Sequence, residues 1–424
     1  MPDTSPSTLE HTVDQLRRQE LHEQVQLLES LPTETAGAAF NSLDEGHQSA
    51  LVAELSPERA GALFAMVHAD DRARLLSARP DLDASGLLGS LDEEERRYTE
   101  RLLRYAPESV GRMMTPRYMT VAPEDTREDI LARVRECAPQ IDTVYTLPVT
   151  AHGTLVGTTT LRQVVAGSDG TRASDLMLPP EPVLHPEQDQ EEAARLLLTT
   201  ELLAVPVVDD TGSMLGLVTV DDAMEVLQLE ESEDIARSSA RQPLGRPYLA
   251  ASPFQLAGTR VVWLLILALA ATLTVNVLEI FEAELDEVVA LALFIPLLIG
   301  TGGNAGAQAT TTVVRAMAVG TLQFHDLVRV IWRELRVGLI LGGLLGMLAI
   351  APVAVLYDWR LATTVALTLV SICTFATMVG SVLPILAGRL GLDPAVVSAP
   401  FVTTLVDASG LIVYFLYARA IFEL

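Results

Sequence analysis

The chain of 424 residues has no lysine and only two cysteines. All 29 basic residues are arginine and are outnumbered by 55 acidic residues, which gives a net charge of −26. Cys137 and Cys373 lie far apart, which excludes the disulfide scaffold of a small secreted domain. A surface this acidic repels nucleic-acid phosphates and attracts cations. We therefore expect a cationic partner and no nucleic acid.

The acidic charge is concentrated in one part of the chain. Residues 1–252 carry 44 acidic residues against 21 arginines, whereas residues 253–424 carry 11 against 8. The first 35 residues are polar and contain no apolar secretory signal. The sequence thus divides into an acidic N-terminal part, expected in the cytoplasm, and an apolar C-terminal part.

The apolar part predicts five transmembrane helices, because each of its five apolar segments approaches or exceeds the roughly 20 residues that cross a bilayer. The helices are expected at about 258–281, 288–315, 331–357, 361–388 and 394–421. Arginines follow the second segment, whereas acids follow the first. The positive-inside rule then predicts a multi-pass protein of the cell membrane, with a cytoplasmic N-terminus, an external C-terminus and lipid around the spans.

Residues 1–112 contain apolar positions that recur every 12 residues, in two columns. The first column is Leu28, Phe40, Val52, Phe64, Leu76 and Leu88, and the second is Leu31, Leu43, Leu55, Val67 and Leu91, broken by Arg79. Helix-starting residues such as Pro32, Asp44 and Asp92 follow the second column. A stacked array of short helices is favoured over a generic helical bundle, because regular repeats bury their apolar faces against neighbouring repeats.

Residues 113–229 contain one helix–strand pattern twice. Apolar strands around Val149 and Val207 flank glycine-containing turns, and a helix follows each pair. The pattern resembles a tandem pair of CBS modules, here at 113–172 and 173–229. The resemblance implies an α/β regulatory pair that can hold an adenosine nucleotide such as ATP.

In that family an Asp three residues after a strand Thr often holds the ribose. Asp222 stands in this position after Thr219, but Gln163 stands there after Thr160. A nucleotide site at Asp222 and a purely structural module both remain open.

Residues 230–252 open with an acidic run and join the second module to the first span. A connector helix of this length can transmit motion to the membrane part. A passive linker is the alternative.

The second span contains GTGGNAGAQ, from Gly300 to Gln308. Glycine costs about 1 kcal/mol relative to alanine inside a helix, so these glycines need a reason. Either neighbouring helices pack closely here, or the segment lines a wet cavity. Asn304 and Gln308 are four residues apart and share one helix face, where their amide oxygens can hydrogen-bond to water around a cation.

Asp407 lies near the middle of the fifth span. A carboxylate at that depth costs at least about 2.5 kcal/mol on insertion scales, so it is expected to face water, a cation or a proton path. A packed acid paired with a buried arginine is the alternative, although arginines occur only near the ends of the spans.

Together with the repeats, the CBS pair and the acidic connector, the segments GTGGNAGAQ and PFVTTLVDASG resemble the MgtE family of magnesium channels. The resemblance implies a homodimer with its pore on the two-fold axis, lined by the second and fifth spans. The implied pore and selectivity residues are Asp407, Asn304, Gly303 and Gln308. Because Mg²⁺ releases its water reluctantly, we expect the pore to hold the hydrated ion.

The resemblance also implies regulatory Mg²⁺ sites that close the pore when cytoplasmic Mg²⁺ is high. The implied ligands are Asp70, Glu191, Asp222, Glu225, Glu230, Glu233, Asp234 and Asp393. Without Mg²⁺ these acids repel one another and the soluble part loosens; bound cations draw it together. The acidic connection from Glu279 to Glu287 is expected either to concentrate cations outside the pore or to be an ordinary solvated loop.

A CBS-regulated secondary transporter, exchanging a solute or divalent cation for protons through Asp407, is the alternative function. The sequence has no HExxH, GxSxG or phosphate-loop motif, so we expect no enzyme.

Overall fold

The computed structural model describes residues 6–78, 82–244, 248, 251–394, 397 and 399–424. The chain divides into two compact units. We call residues 1–230 with 245–252 the soluble unit, and residues 231–244 with 253–424 the membrane unit.

The soluble unit begins with the expected array of short helices. They are α1 (Pro6–Arg18), α2 (Leu21–Ser30), α3 (Thr33–Asn41), α4 (Glu45–Glu54), α5 (Pro57–Phe64), α6 (Ala69–Ala78), α7 (Ala84–Gly89) and α8 (Glu93–Leu102). Helices α2 to α6 begin 12 residues apart, as the sequence period predicts. Asp44 and Asp92 cap α4 and α8 through their side chains. Arg79, the exception in the second column, lies outside the described residues.

Both apolar columns of the repeat enter one core. Leu28, Phe40 and Phe64 are fully buried, and Leu43 and Val67 are buried beside them. Each short helix therefore buries its apolar face against its neighbours in the array.

The two CBS modules follow and repeat one arrangement. Their elements are α9 (Val110–Met113), α10 (Arg127–Cys137), β1 (Thr146–Ala151), β2 (Thr154–Thr160), α11 (Leu161–Ala166), α12 (Ala173–Leu176), α13 (Gln190–Thr200), β3 (Ala204–Val208), β4 (Met214–Thr219) and α14 (Val220–Ser238). β1 pairs antiparallel with β2, and β3 with β4. Parallel bridges from Val121 to Val149 and from Leu184 to Val207 add an extended segment to each pair. The β1–β2 turn has positive φ at His152 and Gly153, which is typical of a two-residue hairpin.

The expected connector at 230–252 begins within a longer helix that ends at Ser238; its residues 245–247, 249 and 250 lie outside the described part of the chain. Helix α14 begins directly after β4 and carries the acidic run to Ser238 without interruption. No glycine or proline lies between Val220 and Ser238, so nothing in the sequence ends the helix earlier. The last helix of the second module and the acidic run are thus one continuous element.

The membrane unit contains α15 (Pro253–Ile280), α16 (Glu282–Glu287), a 3-10 segment (Val289–Phe294), α17 (Ile295–Ala318), a second 3-10 segment (Phe324–Asp326), α18 (Leu327–Leu356), α19 (Trp359–Arg389) and α20 (Ala399–Phe422). Within the described part of the chain, five helical segments are long and apolar enough to cross a membrane, as predicted. The second span differs from the expected uninterrupted helix, because its first turns are 3-10 and Pro296 then opens α17. The buried hydroxyl of Tyr414 donates to the carbonyl oxygen of Leu291 in this segment, at 3.0 Å.

Helices α18 and α19 approach closely along a glycine stripe. Gly338, Gly342 and Gly346 are spaced by four residues and are buried against α19. A Cβ atom at Gly342 would lie 2.5 Å from the Cα atom of Val370 and 2.7 Å from the carbonyl oxygen of Leu369. Only a residue without a side chain permits this backbone contact.

Candidate functional site

Asp407 lies about two turns into α20, and no ion pair of its carboxylate is found among the described residues. Its Oδ1 atom is buried and has no hydrogen-bond partner among the described residues. The expected alternative, a packed acid paired with a buried arginine, is therefore not found in the described part of the chain. A buried carboxylate oxygen without a partner is costly unless water or a cation reaches it.

Helix α17 packs on α20 next to Asp407. The hydroxyl of Thr403 donates to the carbonyl oxygen of Gly303 at 3.4 Å. A Cβ atom at Gly303 would come within 2.6 Å of the Thr403 side chain, and one at Gly302 within 3.0 Å of Val406. The glycines thus permit the helix contact that the packing hypothesis expected, and Asp407 is one turn beyond Thr403 on the same helix.

The opposite face of α17 is polar and exposed. Gly300, Asn304, Gln308 and Thr311 are exposed at intervals of three or four residues, while Gly302 and Gly306 are buried. Close packing, the first reason offered for the glycines, is confirmed for one face of α17; the other face presents amide groups outward, and the wet cavity stays a prediction. Gly303 contributes close packing and no side-chain ligand.

A second group of acids lies in the soluble unit, where α6 meets the start of α14. One carboxylate oxygen from each of Asp70, Asp71 and Asp222 lies within 4.8 Å of the other two. We call these three residues the aspartate triad. The sequence pointed to Asp70 and Asp222, which are 152 positions apart, and missed Asp71; the adjacent acid in the ADDR segment was the available signal.

The triad is electrostatically strained without a cation. Burial, and then the neighbouring Asp71 charge, raise the pKa of Asp70 to about 6. Burial and the charge of Asp70 raise the pKa of Asp222 well above its usual value. The Oδ1 atom of Asp70 is also buried without a hydrogen-bond partner among the described residues. Three convergent carboxylates in this state are suited to a hard cation with oxygen ligands.

Glu225 lies on the same helix as Asp222 but pairs with an arginine instead of joining the triad. It accepts a 2.8 Å hydrogen bond from Nη2 of Arg74, and Arg74 also pairs with Asp71. Arg74 was not recognised from the sequence.

An ion pair of His68 with Asp142 joins the helical array to the first CBS module beside the triad. Its Nδ1–Oδ1 distance is 3.2 Å. The hydrogen bond to Asp142 raises the pKa of His68 to about 9. Although burial acts in the opposite direction, hydrogen bonds from His68 and Thr115 hold the pKa of Asp142 below its usual value. No pattern in the sequence predicted this pair.

The other implied regulatory acids are engaged with nearby side chains. Glu191 pairs with Arg195 one turn along α13, and Glu230 accepts from the side-chain amide of Gln190 at 3.2 Å. Neither belongs to the triad.

Arg237 joins two further acids within the membrane unit. Its guanidinium pairs with Glu233 on α14 and with Asp393, which precedes α20. Asp234 is partly buried on the same helix. The structure thus brings Glu233 and Asp393 to one arginine.

The acidic connection between the first two spans departs from both expectations at Glu284. Glu284 is 4% exposed, and its Oε1 atom accepts hydrogen bonds from Nε of Arg419 at 2.6 Å and from Nη2 at 2.5 Å. Because α16 packs against the end of α20, this acid is a structural ion-pair partner rather than a free cation attractor.

The cleft between the CBS modules bears on the nucleotide prediction. A cavity of about 370 Å³ is lined by Asp142, Thr143, Tyr145, Leu203, Thr219, Val220 and Asp221. The Asp222 carboxylate accepts a hydrogen bond from the hydroxyl of Thr219 and belongs to the triad. Thr160 caps α11, and the Gln163 side chain completes the capping box by accepting from the Thr160 backbone N–H, so Gln163 occupies the equivalent place as a structural residue.

Comparison with known proteins agrees with these features. The family model described as divalent cation transporter matches residues 295–417, the MgtE intracellular N domain matches residues 8–108, and a CBS domain matches residues 173–229. The magnesium transporter MgtE of Thermus thermophilus is 40% identical over 78% of this chain and 74% of its own length. That of Bacillus subtilis is 32% identical over 83% and 78%.

A solved cytosolic domain, that of the Mg²⁺ channel MgtE in complex with ATP, covers 50% of this chain and 93% of its own length. It is 30% identical, with a TM-score of 0.40.

Five apolar helices, a mid-span carboxylate and a large acidic soluble unit define a membrane protein that transports cations. The identity to the two MgtE transporters extends through most of the chain. The chain belongs to the MgtE family of magnesium transporters. The alternative of a CBS-regulated secondary transporter is not favoured by these matches.

Proposed function

We propose that the chain forms a homodimeric channel that passes Mg²⁺ into the cytoplasm down its gradient and closes when Mg²⁺ binds the soluble unit. One observation supports this above the others. A membrane protein presents an unpaired carboxylate at Asp407 and an exposed amide face on α17, although neither is stable against lipid.

The exposed face of α17 supports the proposed homodimer. Asn304 and Gln308 would each lose hydrogen bonds if they faced hydrocarbon. A second copy related by a two-fold axis brings the same face of its own α17 opposite and encloses water between them. The axis then passes between the two copies of α17 and α20, which line the pore.

The ligand chemistry of this pore suits Mg²⁺. Mg²⁺ requires octahedral oxygen coordination and keeps most of its water. Two Asp407 carboxylates can accept hydrogen bonds from the coordinated waters, and the Asn304 amides can add further oxygen acceptors. Thiolate and imidazole ligands, which favour softer metals, do not occur in α17 or α20.

The gate rests on the aspartate triad and the acids around Arg237. Mg²⁺ at the triad relieves the repulsion between Asp70 and Asp222 and so stabilises contact between α6 and α14. Helix α14 carries both the triad residue Asp222 and the acidic run with Glu230, Glu233 and Asp234. With the N-terminus in the cytoplasm, the sensor lies on the side where Mg²⁺ arrives.

Mg²⁺ uptake by liposomes that contain purified protein tests the pore. We expect Mg²⁺ uptake that is driven by the Mg²⁺ gradient and is unaffected by a pH gradient across the membrane. Uptake that required the pH gradient would contradict the channel and favour the exchanger.

Crosslinking tests the dimer and its axis. In a variant with Cys137 and Cys373 changed to alanine, Asn304→Cys should form a disulfide-linked dimer under mild oxidation, because the two copies face each other. Leu269→Cys, on the exposed face of α15, is the matched control and should stay monomeric on a denaturing gel. Crosslinking at Leu269 and none at Asn304 would overturn this axis.

An adenosine nucleotide between the CBS modules is a second candidate ligand. The cavity of about 370 Å³ falls within the usual range of small-molecule sites, about 300–1,000 Å³, and Thr219 and Asp221 line it. Asp142 also lines it, and its negative charge opposes phosphate, so we propose binding through the nucleoside end. Calorimetry with ATP on wild type and on Asp221→Asn tests this; no binding heat from wild type would exclude it.

A further inference from the structure

Arg74 places a positive charge inside the acidic interface between the helical array and the second CBS module. Its side chain is only 10% exposed, and it lies on the short helix α6, most of whose described residues are buried. One nitrogen, Nη2, donates both to Asp71 on the same helix and to Glu225 on α14. A single guanidinium thus bridges carboxylates that are 154 positions apart in the sequence.

The other half of the guanidinium is buried without full compensation. Nη1 of Arg74 has no hydrogen-bond partner among the described residues. Arg74 lines a cavity of about 60 Å³, together with Asn41, Leu43, Glu45, Gln48, Asp71 and Glu225. Burial raises the pKa of Glu45, and the Arg74 charge opposes this change. A charge that is partly desolvated in this way stays buried only when nearby opposite charges hold it.

Asp71 is shared between this bridge and the aspartate triad. On one side of the interface the positive charge therefore belongs to the Arg74 side chain. On the other side, three converging carboxylates are suited to a mobile cation. Glu225 follows Asp222 by one helical turn, so both cation positions connect the same two helices.

We infer that Arg74 is a built-in cation that holds α6 against α14 before Mg²⁺ binds. It is a positioning residue for the sensor: Mg²⁺ at the triad completes an interface that Arg74 has already formed. The role of Mg²⁺ here rests on the proposed function, whereas the role of Arg74 in the absence of Mg²⁺ does not.

Hydrogen exchange measured by mass spectrometry on the full-length protein tests the inference. The informative peptides cover Ala69–Ala78 and Val220–Glu230. In EDTA, Arg74→Gln should exchange about tenfold faster than wild type in both peptides, because an opening free energy lower by about 1.4 kcal/mol corresponds to a factor of ten. Saturating MgCl₂ should restore protection, since the triad remains intact. Arg96→Gln, which removes an exposed arginine paired within α8, is the matched control and should exchange as wild type.

Glu225→Gln breaks the same bridge from α14 and should give the same acceleration in EDTA. The double variant should be no faster than Arg74→Gln alone, because only one interaction is lost. Wild-type exchange in EDTA for Arg74→Gln, additive effects in the double variant, or no recovery of Arg74→Gln in MgCl₂ would each overturn the inference. A wild-type protein that is protected in EDTA but unchanged by MgCl₂ would refute the Mg²⁺ sensor and leave the role of Arg74 standing.

Discussion

The two acidic sites of the molecule, Asp407 and the aspartate triad, are suited to different tasks. Asp407 is a single carboxylate in an apolar helix, with no charged partner among the described residues. The aspartate triad concentrates three carboxylates beside the fixed cation of Arg74. An ion that must leave again needs few, weak contacts, whereas an ion that holds two elements together needs several ligands from both. Asp407 is therefore suited to an ion that passes through, whereas the triad is suited to an ion that stays bound.

Removing the charge of Asp407 should have the largest effect. At about 5 Å and an effective dielectric constant of about 20, one carboxylate attracts a divalent ion by several kcal/mol. Asp407→Asn should therefore reduce Mg²⁺ uptake into liposomes about a hundredfold or more. Glu423→Gln, outside the span, should leave it unchanged. Normal uptake and selectivity in Asp407→Asn would remove the basis of the pore assignment.

Weakening the triad should change regulation and spare conduction. Asp70→Asn and Asp222→Asn each remove one of three charged ligands, and we expect the Mg²⁺ concentration that protects the soluble unit from chymotrypsin to rise about tenfold. Uptake at low cytoplasmic Mg²⁺ should remain. Asp209→Asn, an acid in a turn of the second module, is the control. Equal protection in all four proteins would argue against the triad.

Breaking the ion pair between Glu284 and Arg419 tests whether any buried acid of the membrane unit affects transport. Arg419→Gln leaves Glu284 buried without its partner, which we expect to lower the free energy of unfolding by about 1–3 kcal/mol. Thermal unfolding in detergent measures this, and the double variant with Glu284→Gln should be less destabilised. Mg²⁺ uptake per folded dimer should change little. A loss as large as that of Asp407→Asn would show that the outer ion pair belongs to the pore.

Two neighbouring glycines give the smallest and most local test. At Gly342 a Cβ atom meets the backbone of α19, whereas at Gly343 nothing lies within 4 Å. Gly342→Ala should destabilise the membrane unit by about 1–3 kcal/mol through overpacking. Gly343→Ala should be neutral or stabilising by up to about 1 kcal/mol through helix propensity. Equal melting temperatures would contradict the close packing of α18 on α19.

Local patterns in the sequence predicted those parts of the fold that depend on periodicity. The 12-residue spacing gave the starts of α2 to α6, and the apolar lengths gave five spans. The continuity of the connector with the last helix of the second module was not predicted, because nothing in the sequence distinguishes the end of a CBS helix from its continuation. The 3-10 start of the second span escaped prediction because its contact with Tyr414 comes from a distant helix.

The acid within the fifth span could be located from residue order alone, because hydropathy and position along a helix are local properties. So could the amides on one face of α17. Which acids act together became visible in the folded chain alone: Asp71 and Arg74 meet Asp222 and Glu225 across about 150 residues of chain. Such pairings depend on how separately folded elements dock, and a helical or strand period does not encode which faces meet.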